Sequence, residues 1–343
     1  MLTPFISTSI KKPYDMKKIN LLSNNIKNID VKSFDSSHIL NSMKPMSSSE
    51  SQLVEATELY SKMLNDNDCN IILSISDNSC TKGCLRLFAN MIELKMVDAI
   101  IVNGNNLMYY DFLEALGFNL FKGLEKNTNS KLDEFYICTS NGTFIDDNDL
   151  QYIDLTIKEI ADQLQARTYS SKEFLYELGR YLQVYSTNKR SVLQLAFENE
   201  IPIYSPSLAC SKLAGGLLDH QWERPDHHML IDPILDLSEL IALKSKSKNT
   251  GLILLGNDTI SDVAFDIVSY TKVIGRQTRR HKYAIQIVKS NAEGELSETI
   301  MRNTINRDTI KNVNMEPNLA LPLIISQLQY SKQLKERLYH HIN

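Results

Sequence analysis

The chain has 343 residues, 43% of them hydrophobic and 23% charged, with a formal net charge of -4. That length holds one large globular domain or two ordinary ones, and the lack of a basic excess argues against nucleic acid or anionic lipid as a main partner. No apolar run approaches the roughly 18 residues that cross a bilayer, and residues 1–13 lack a secretory apolar segment, so a cytoplasmic protein is expected.

Residues 1–47 are rich in Ser, Asn and Lys and contain Pro4, Pro13 and Pro45. They read as a partly disordered N-terminal arm, with a short amphipathic piece at 38–43 that can dock. One large domain is expected over 48–343. It opens with a helix: Ser49 and Gln52 make a capping box, and Leu53, Ala56, Tyr60, Met63 and Leu64 line one face.

Residues 70–106 organise the rest. Ile71, Ile72 and Leu73 form an apolar run that breaks into a polar turn at 74–79. Cys84, Leu87, Phe88, Met91 and Ile92 then recur with helical spacing, and a second apolar run at 99–102 ends in Asn103-Gly104-Asn105-Asn106. Two runs apolar on both faces, joined by a helix, predict a right-handed strand-helix-strand unit of a buried parallel sheet. Both polar turns should then face one crevice at the carboxyl ends of the strands.

The spacing next predicts a helix over 107–116 ended by Gly117, a block of three helices through Ile153–Leu164 spacing, Phe174 and Tyr181, and Val192 and Phe197, and a stop at Pro202. A short strand at 203–206 and a helix at 208–218 follow. Further on come a helix at 234–243, a strand at 252–255 ending in Gly256, a helix at 260–273, a strand at 283–288, a polar loop at 289–308 and a closing helix from 321, entered past Pro322. This alternation predicts a doubly wound α/β fold, with a TIM barrel as the second choice. The helical block without strands weighs against the barrel.

Cys69, Cys80, Cys84, Cys138 and Cys210 are odd in number and irregularly spaced, so buried or partly buried thiols are expected rather than disulfides or a metal site. His227-His228 reads as a solvated turn. No G-x-G-x-x-G follows a strand, and no Walker loop or G-x-S-x-G elbow occurs. Asn103-Gly104-Asn105 and Gly256-Asn257-Asp258 could each let a backbone approach a pyrophosphate, and each is equally an ordinary turn.

The order of landmarks is more specific. Ser76-Asp77-Asn78, Gly83, Met96-Val97-Asp98, the Asn-Gly-Asn turn, Ile201-Pro202-Ile203-Tyr204-Ser205-Pro206, the stretch from Thr250 through Gly256, Tyr283-Ala284 and Leu321-Pro322-Leu323 resemble deoxyhypusine synthase in content and spacing, from about residue 34 onward. The resemblance implies a Rossmann-like fold and a tetramer of two tight dimers with active sites at the dimer interface. It also implies use of NAD to move the aminobutyl group of spermidine to a lysine of translation factor 5A.

At the chemical positions the chain departs from that family. The lysine of its Trp-Gly-Lys segment, the nucleophile that carries the aminobutyl group, is matched by Asn303 in Met301-Arg302-Asn303, and an amide nitrogen is not basic. The proton-accepting histidine aligns with Asp262, and the two acids after the Ser-Pro strand align with Cys210 and Gly215. The carboxylates and aromatic wall that a polyamine needs are therefore depleted.

On the cofactor side, Ser76 and Asn78 partly match the family's Thr-Ser-Asn turn. Gly104 suits a close backbone approach, and Glu316 stands near an acid that holds the adenosine ribose. Ordinary turn chemistry reads these residues equally well. The resemblance thus implies a regulatory, catalytically impaired subunit of the kind found in some protists, paired in a heterotetramer with an active paralogue and holding NAD at a shared interface. A divergent active deoxyhypusine or homospermidine synthase, with Lys289 as the first candidate lysine, is the alternative. An NAD-binding or scaffolding protein is a further one.

Overall fold

A computed structural model describes residues 25–46, 49–76, 83–102, 107–122, 136–138, 142–256, 259–276, 278–289, 304–305, 309–331 and 337. The docking piece is helix α1 (Ser37–Met43), and the capping-box helix is α2 (Ser49–Asn65). The predicted central unit follows as β1 (Cys69–Ile75), α3 (Leu85–Glu93) and β2 (Ala99–Val102), with every residue of both strands buried. Burial on both faces is why these runs read as continuous apolar stretches.

Helix α4 (Leu107–Ala115) ends before Gly117, and three short strands, β3 (Phe121–Lys122), β4 (Tyr136–Cys138) and β5 (Thr143–Asp146), form an antiparallel sheet absent from the sequence expectation. The helical block is α5 (Asp147–Asp162), α6 (Ser171–Tyr185) and α7 (Val192–Glu198), with β6 (Thr168–Tyr169) between the first two. Then come β7 (Ile203–Tyr204), a 3-10 turn at Leu208–Cys210, α8 (Leu213–Glu223), and β8 (Leu230–Ile231), which pairs with β6. Helix α9 (Pro233–Lys246), β9 (Asn249–Leu255), α10 (Thr259–Val273), β10 (Tyr283–Val288), β11 (Ile310–Asn314) and α11 (Pro317–Tyr330) complete the described chain.

Six strands join in one parallel sheet in the order β11-β10-β9-β1-β2-β7. Counted along the chain, the first three run outward one way and the last three the other way. This is the doubly wound Rossmann order, and it excludes the barrel. Ile71, Leu73, Ile100, Ile253 and Ile285 face one apolar cluster with α2, α3 and α11. Ile72, Ile101, Leu252, Leu254 and Ala284 face a second, closed by Leu240 and Leu243 of α9 and Phe265 of α10.

The chain before α2 docks on α11. Ser36 Oγ donates to Leu323 O (2.6 Å), Ser326 Oγ donates to Phe34 O (2.6 Å), and Val31 and Leu40 are fully buried. Helix α11 begins at Pro317, four residues before the expected start, with Pro317 in the first turn and Pro322 inside the helix. Pro322 suggests a boundary on its own, but the packing of Ala320, Leu321, Ile324 and Ile325 carries the helix through it. Cys69 and Cys84 are buried, whereas Cys138 and Cys210 are exposed thiols, unlike the expectation for the set.

Candidate functional site

The reversal of strand order falls between β1 and β9, so the crevice lies at the carboxyl ends of these strands. Ser76 closes β1 by donating its N–H to Leu255 O (2.9 Å), and Gly256 closes β9 by donating to Ile287 O (2.9 Å). Gly256 has φ +88, a left-handed conformation that favours glycine and turns the chain from β9 toward α10.

Ser74 Oγ, Ser76 Oγ and Gln286 Nε2 are buried and have no hydrogen-bond partner among the described residues. An orphaned buried polar atom costs about 1–3 kcal/mol; such atoms also occur elsewhere in the molecule, at Asn90, Thr143 and Asp236 among others. Ser76 beside the Gly256 turn fits a dinucleotide in the ordinary crevice position of this fold. Glu316, at the start of α11, accepts from Lys289 Nζ at 2.9 Å, so the candidate ribose acid and the candidate substitute lysine neutralise one another across the ends of β10 and β11. Both are well exposed, and such a pair is weak enough for a ligand to displace.

Of the positions read from sequence as degenerate, Asp262 and Cys210 follow the carboxyl ends of β9 and β7, and Gly215 lies in α8, after that turn. Asp262 lies in the first turn of α10, and its charge together with burial raises the pKa of Asp266, burial being the larger cause. Cys210 is exposed on the turn after β7. Gly215 opens a surface that a side chain would fill: a Cβ there would lie 3.3 Å from Asp154 Oδ2 of α5. Tyr109 at the start of α4 directs its hydroxyl to the same carboxylate at 3.5 Å, and burial raises the Asp154 pKa. A carboxylate from α5 thus stands at Gly215, with the buried Tyr109 hydroxyl on its far oxygen. Asn78, Gly104, Met301 and Asn303 lie outside the described residues.

Two further features have the look of sites. His220 Nδ1 lies 2.6 Å from Asp162 Oδ1, and its Nε2 accepts from Met229 N (3.1 Å), so both ring nitrogens are consumed in holding the α8–β8 connection. A cavity of about 640 Å³ borders the edge strand β7, among Arg167, Lys172, Tyr176, Phe197 and Tyr204. It lies toward the amino-terminal side of β7, and its charges close on themselves in the Arg167–Glu173 (2.8 Å) and Lys172–Glu239 pairs. The polar switch point, not this cavity, has the position of a dinucleotide site.

Sheet order and switch point together define an α/β protein of the doubly wound, Rossmann-like class. The deoxyhypusine synthase family profile matches residues 38–328. A deoxyhypusine synthase-like protein of Coxiella burnetii is 36% identical over 327 residues, spanning 93% of each chain. One of Chlorobaculum parvum is 31% identical over 335 residues, spanning 96% of each. A crystal structure from Entamoeba histolytica described as a candidate deoxyhypusine synthase shares the fold, with a TM-score of 0.60 at 18% identity, covering 92% of this chain and 100% of that one. The chain belongs to the deoxyhypusine synthase family.

Proposed function

We propose that this chain is a cofactor-binding, lysine-deficient subunit of a deoxyhypusine synthase assembly, working with a paralogue that carries the catalytic lysine. The observation that carries this reading is a contrast. The switch point keeps a buried Ser76 hydroxyl with no partner among the described residues and the Gly256 turn, while the residue matched to the lysine by spacing from Pro322 is Asn303. Binding chemistry is retained, and the amine nucleophile is lost.

In that assembly NAD supplies hydride acceptance when bound. This chain's part is to bind and orient through Ser76 and through Glu316 toward a ribose, with Asn78 and Gly104, which lie outside the described residues, as the further candidates read from sequence. The partner's lysine carries the aminobutyl group on its way to a lysine of translation factor 5A. The paired subunits form a heterotetramer with the site at their shared interface.

The test measures NADH formation and aminobutyl transfer to translation factor 5A by this chain alone, by a lysine-bearing paralogue alone, and by the two coexpressed. The expected result is silence from this chain and a rate from the pair well above the paralogue alone. No gain on coexpression, with no copurification, overturns the reading.

A second reading is favoured by Asp154 at Gly215, because a carboxylate suits a polyamine ammonium. Under it the chain is a divergent transferase that uses another lysine. NADH formation by the lone chain from NAD and spermidine, lost in Asp154→Asn, would select it over the first.

A further inference from the structure

Strand β7 is an edge of the six-stranded sheet, paired only with β2 among the described residues. Ile100 N donates to Pro202 O (2.9 Å), and in a parallel ladder this leaves the N–H and C=O of Ile203 pointing away from β2. The outward N–H groups two residues before and after are satisfied: Ile201 N donates to Ala196 O (2.8 Å), and Ser205 N donates to Ser171 Oγ (2.6 Å). Ile203 is 3% exposed, and neither of its outward groups meets a partner among the described residues. One donor and one acceptor on a buried strand edge are thus left open.

The cavity of about 640 Å³ lies on this edge. Ile203 packs in the apolar cluster that holds Leu193 of α7, whereas Tyr204 packs in the opposite cluster with Leu243 of α9, and both leucines line the cavity. The space therefore straddles the rim of the sheet, with an apolar wall on each side. Phe197 extends the α7 wall and carries the half-exposed Tyr176 on its ring, with the centroids 4.6 Å apart. Such a volume suits a small organic molecule.

The charges around the space cancel. Glu173, Glu177 and Glu239 are paired with Arg167, Arg180 and Lys172, and Asp98 with Arg337, which leaves Glu200 and Lys246 in the lining, one of each sign. A phosphate, a carboxylate or an ammonium group finds no net counter-charge there. A peptide added to a sheet edge bonds through a run of residues, and here one residue is open. What fits is a flat, uncharged ring lying in the plane of the sheet, with an acceptor and a donor side by side on one edge.

We propose that this cavity binds an adenine-type base, free or as its nucleoside. Ile203 N–H donates to the ring nitrogen beside the amino group, and Ile203 O accepts from that amino group. Leu193 and Phe197 lie against one ring face, and Ala242 and Leu243 against the other. The site is on the amino-terminal side of β7, whereas the crevice of the proposed function is at the carboxyl ends of the strands, so the two are separate.

Calorimetry on the full chain compares adenine with its 6-dimethylamino analogue, which keeps the ring but loses the donor and blocks the edge. Adenine should bind at least about tenfold more tightly, the worth of one to two neutral hydrogen bonds. Ala242→Trp fills the α9 wall and should weaken adenine by about tenfold or more, with an unchanged thermal melt showing that it folds. Ser76→Ala, in the crevice, should leave adenine affinity as it is. No adenine binding by the wild type, or equal affinity for the two bases, overturns the proposal whatever the variants do. An adenine affinity that falls in Ser76→Ala and holds in Ala242→Trp also overturns it, because that base sits in the crevice.

Discussion

Lys244 shows how one buried side chain sets a pH dependence. It is 2% exposed on α9, and its Nζ donates to Thr250 Oγ1 at 2.6 Å. The Thr250 hydroxyl in turn lies 2.8 Å from His281 Nδ1. Burial pushes the lysine down to about 8 from an ordinary 10.5 and holds the fully buried imidazole neutral. A folded value below the unfolded one means that charging the amine weighs against the fold. The penalty is complete below pH 8 and gone above 10.5. A shift of that size corresponds to about 3 kcal/mol. Urea unfolding should therefore show the wild type gaining stability relative to Lys244→Met as pH rises from 8 to 10.5, and Lys244→Met should be the more stable at pH 7. Parallel pH profiles for the two proteins would contradict this assignment.

Arg337 is a second residue whose role is positional. It donates to Lys95 O (2.8 Å) and Cys69 O (2.9 Å) and pairs with the buried Asp98, whose Oδ2 also accepts Ile71 N (2.7 Å). Asp98 is thus a fold residue at the amino-terminal ends of β1 and β2, locked by the chain's last described residue. Arg337→Ala leaves that carboxylate buried and uncompensated, and thermal or denaturant unfolding should show a loss of about 3–5 kcal/mol. A loss below about 1 kcal/mol would mean that water replaces the guanidinium.

Among the elements, the pairing of α5 with α8 positions Asp154. A Cβ on Gly216 would come within 2.5 Å of Asp154 O and 2.7 Å of Ile157 Cβ, so the two helices touch backbone to backbone only because residue 216 is glycine. Gly216→Ala should force the helices apart, cost about 1–3 kcal/mol in a denaturant melt, and weaken any ligand that Asp154 holds. An unchanged melt would place the helices farther apart than this geometry requires. The strands differ in how legible they are. β1, β2, β9 and β10 are visible in the sequence as apolar runs because both of their faces are buried. β11 is mostly polar and half-exposed, and β3 to β6 and β8 are two to four residues long. Pairing with a neighbour, not side-chain pattern, makes these strands, so their sequences carry little signal.

For the whole molecule, two faces of helices on a switch-ordered sheet create one crevice and leave its chemistry to the loops. The prediction at this scale is the coexpression result: little turnover from this chain and a marked gain from the pair. Ser76 and Asp262 follow the ends of β1 and β9, and Cys210 and Glu316 follow β7 and β11, because position along a strand or turn is a local property that spacing encodes. The placement of Asp154, Tyr109, Ser74 and Gln286 escapes a sequence reading, since each is set beside a neighbour that is distant in the chain. Tyr109 and Asp154 are 45 residues apart, and Ser74 and Gln286 meet only through the β1–β9–β10 register.

By itself the sequence determined the long buried strands, the helices between them and the Gly256 turn, because apolar periodicity and glycine placement act over a few residues. Strand order, the cross-sheet register of Ser74 and Gln286 and the carboxylate supplied to Gly215 were decided only in the tertiary structure. They depend on which segments pack together, and that is set by the burial of whole faces rather than by any local run of residues.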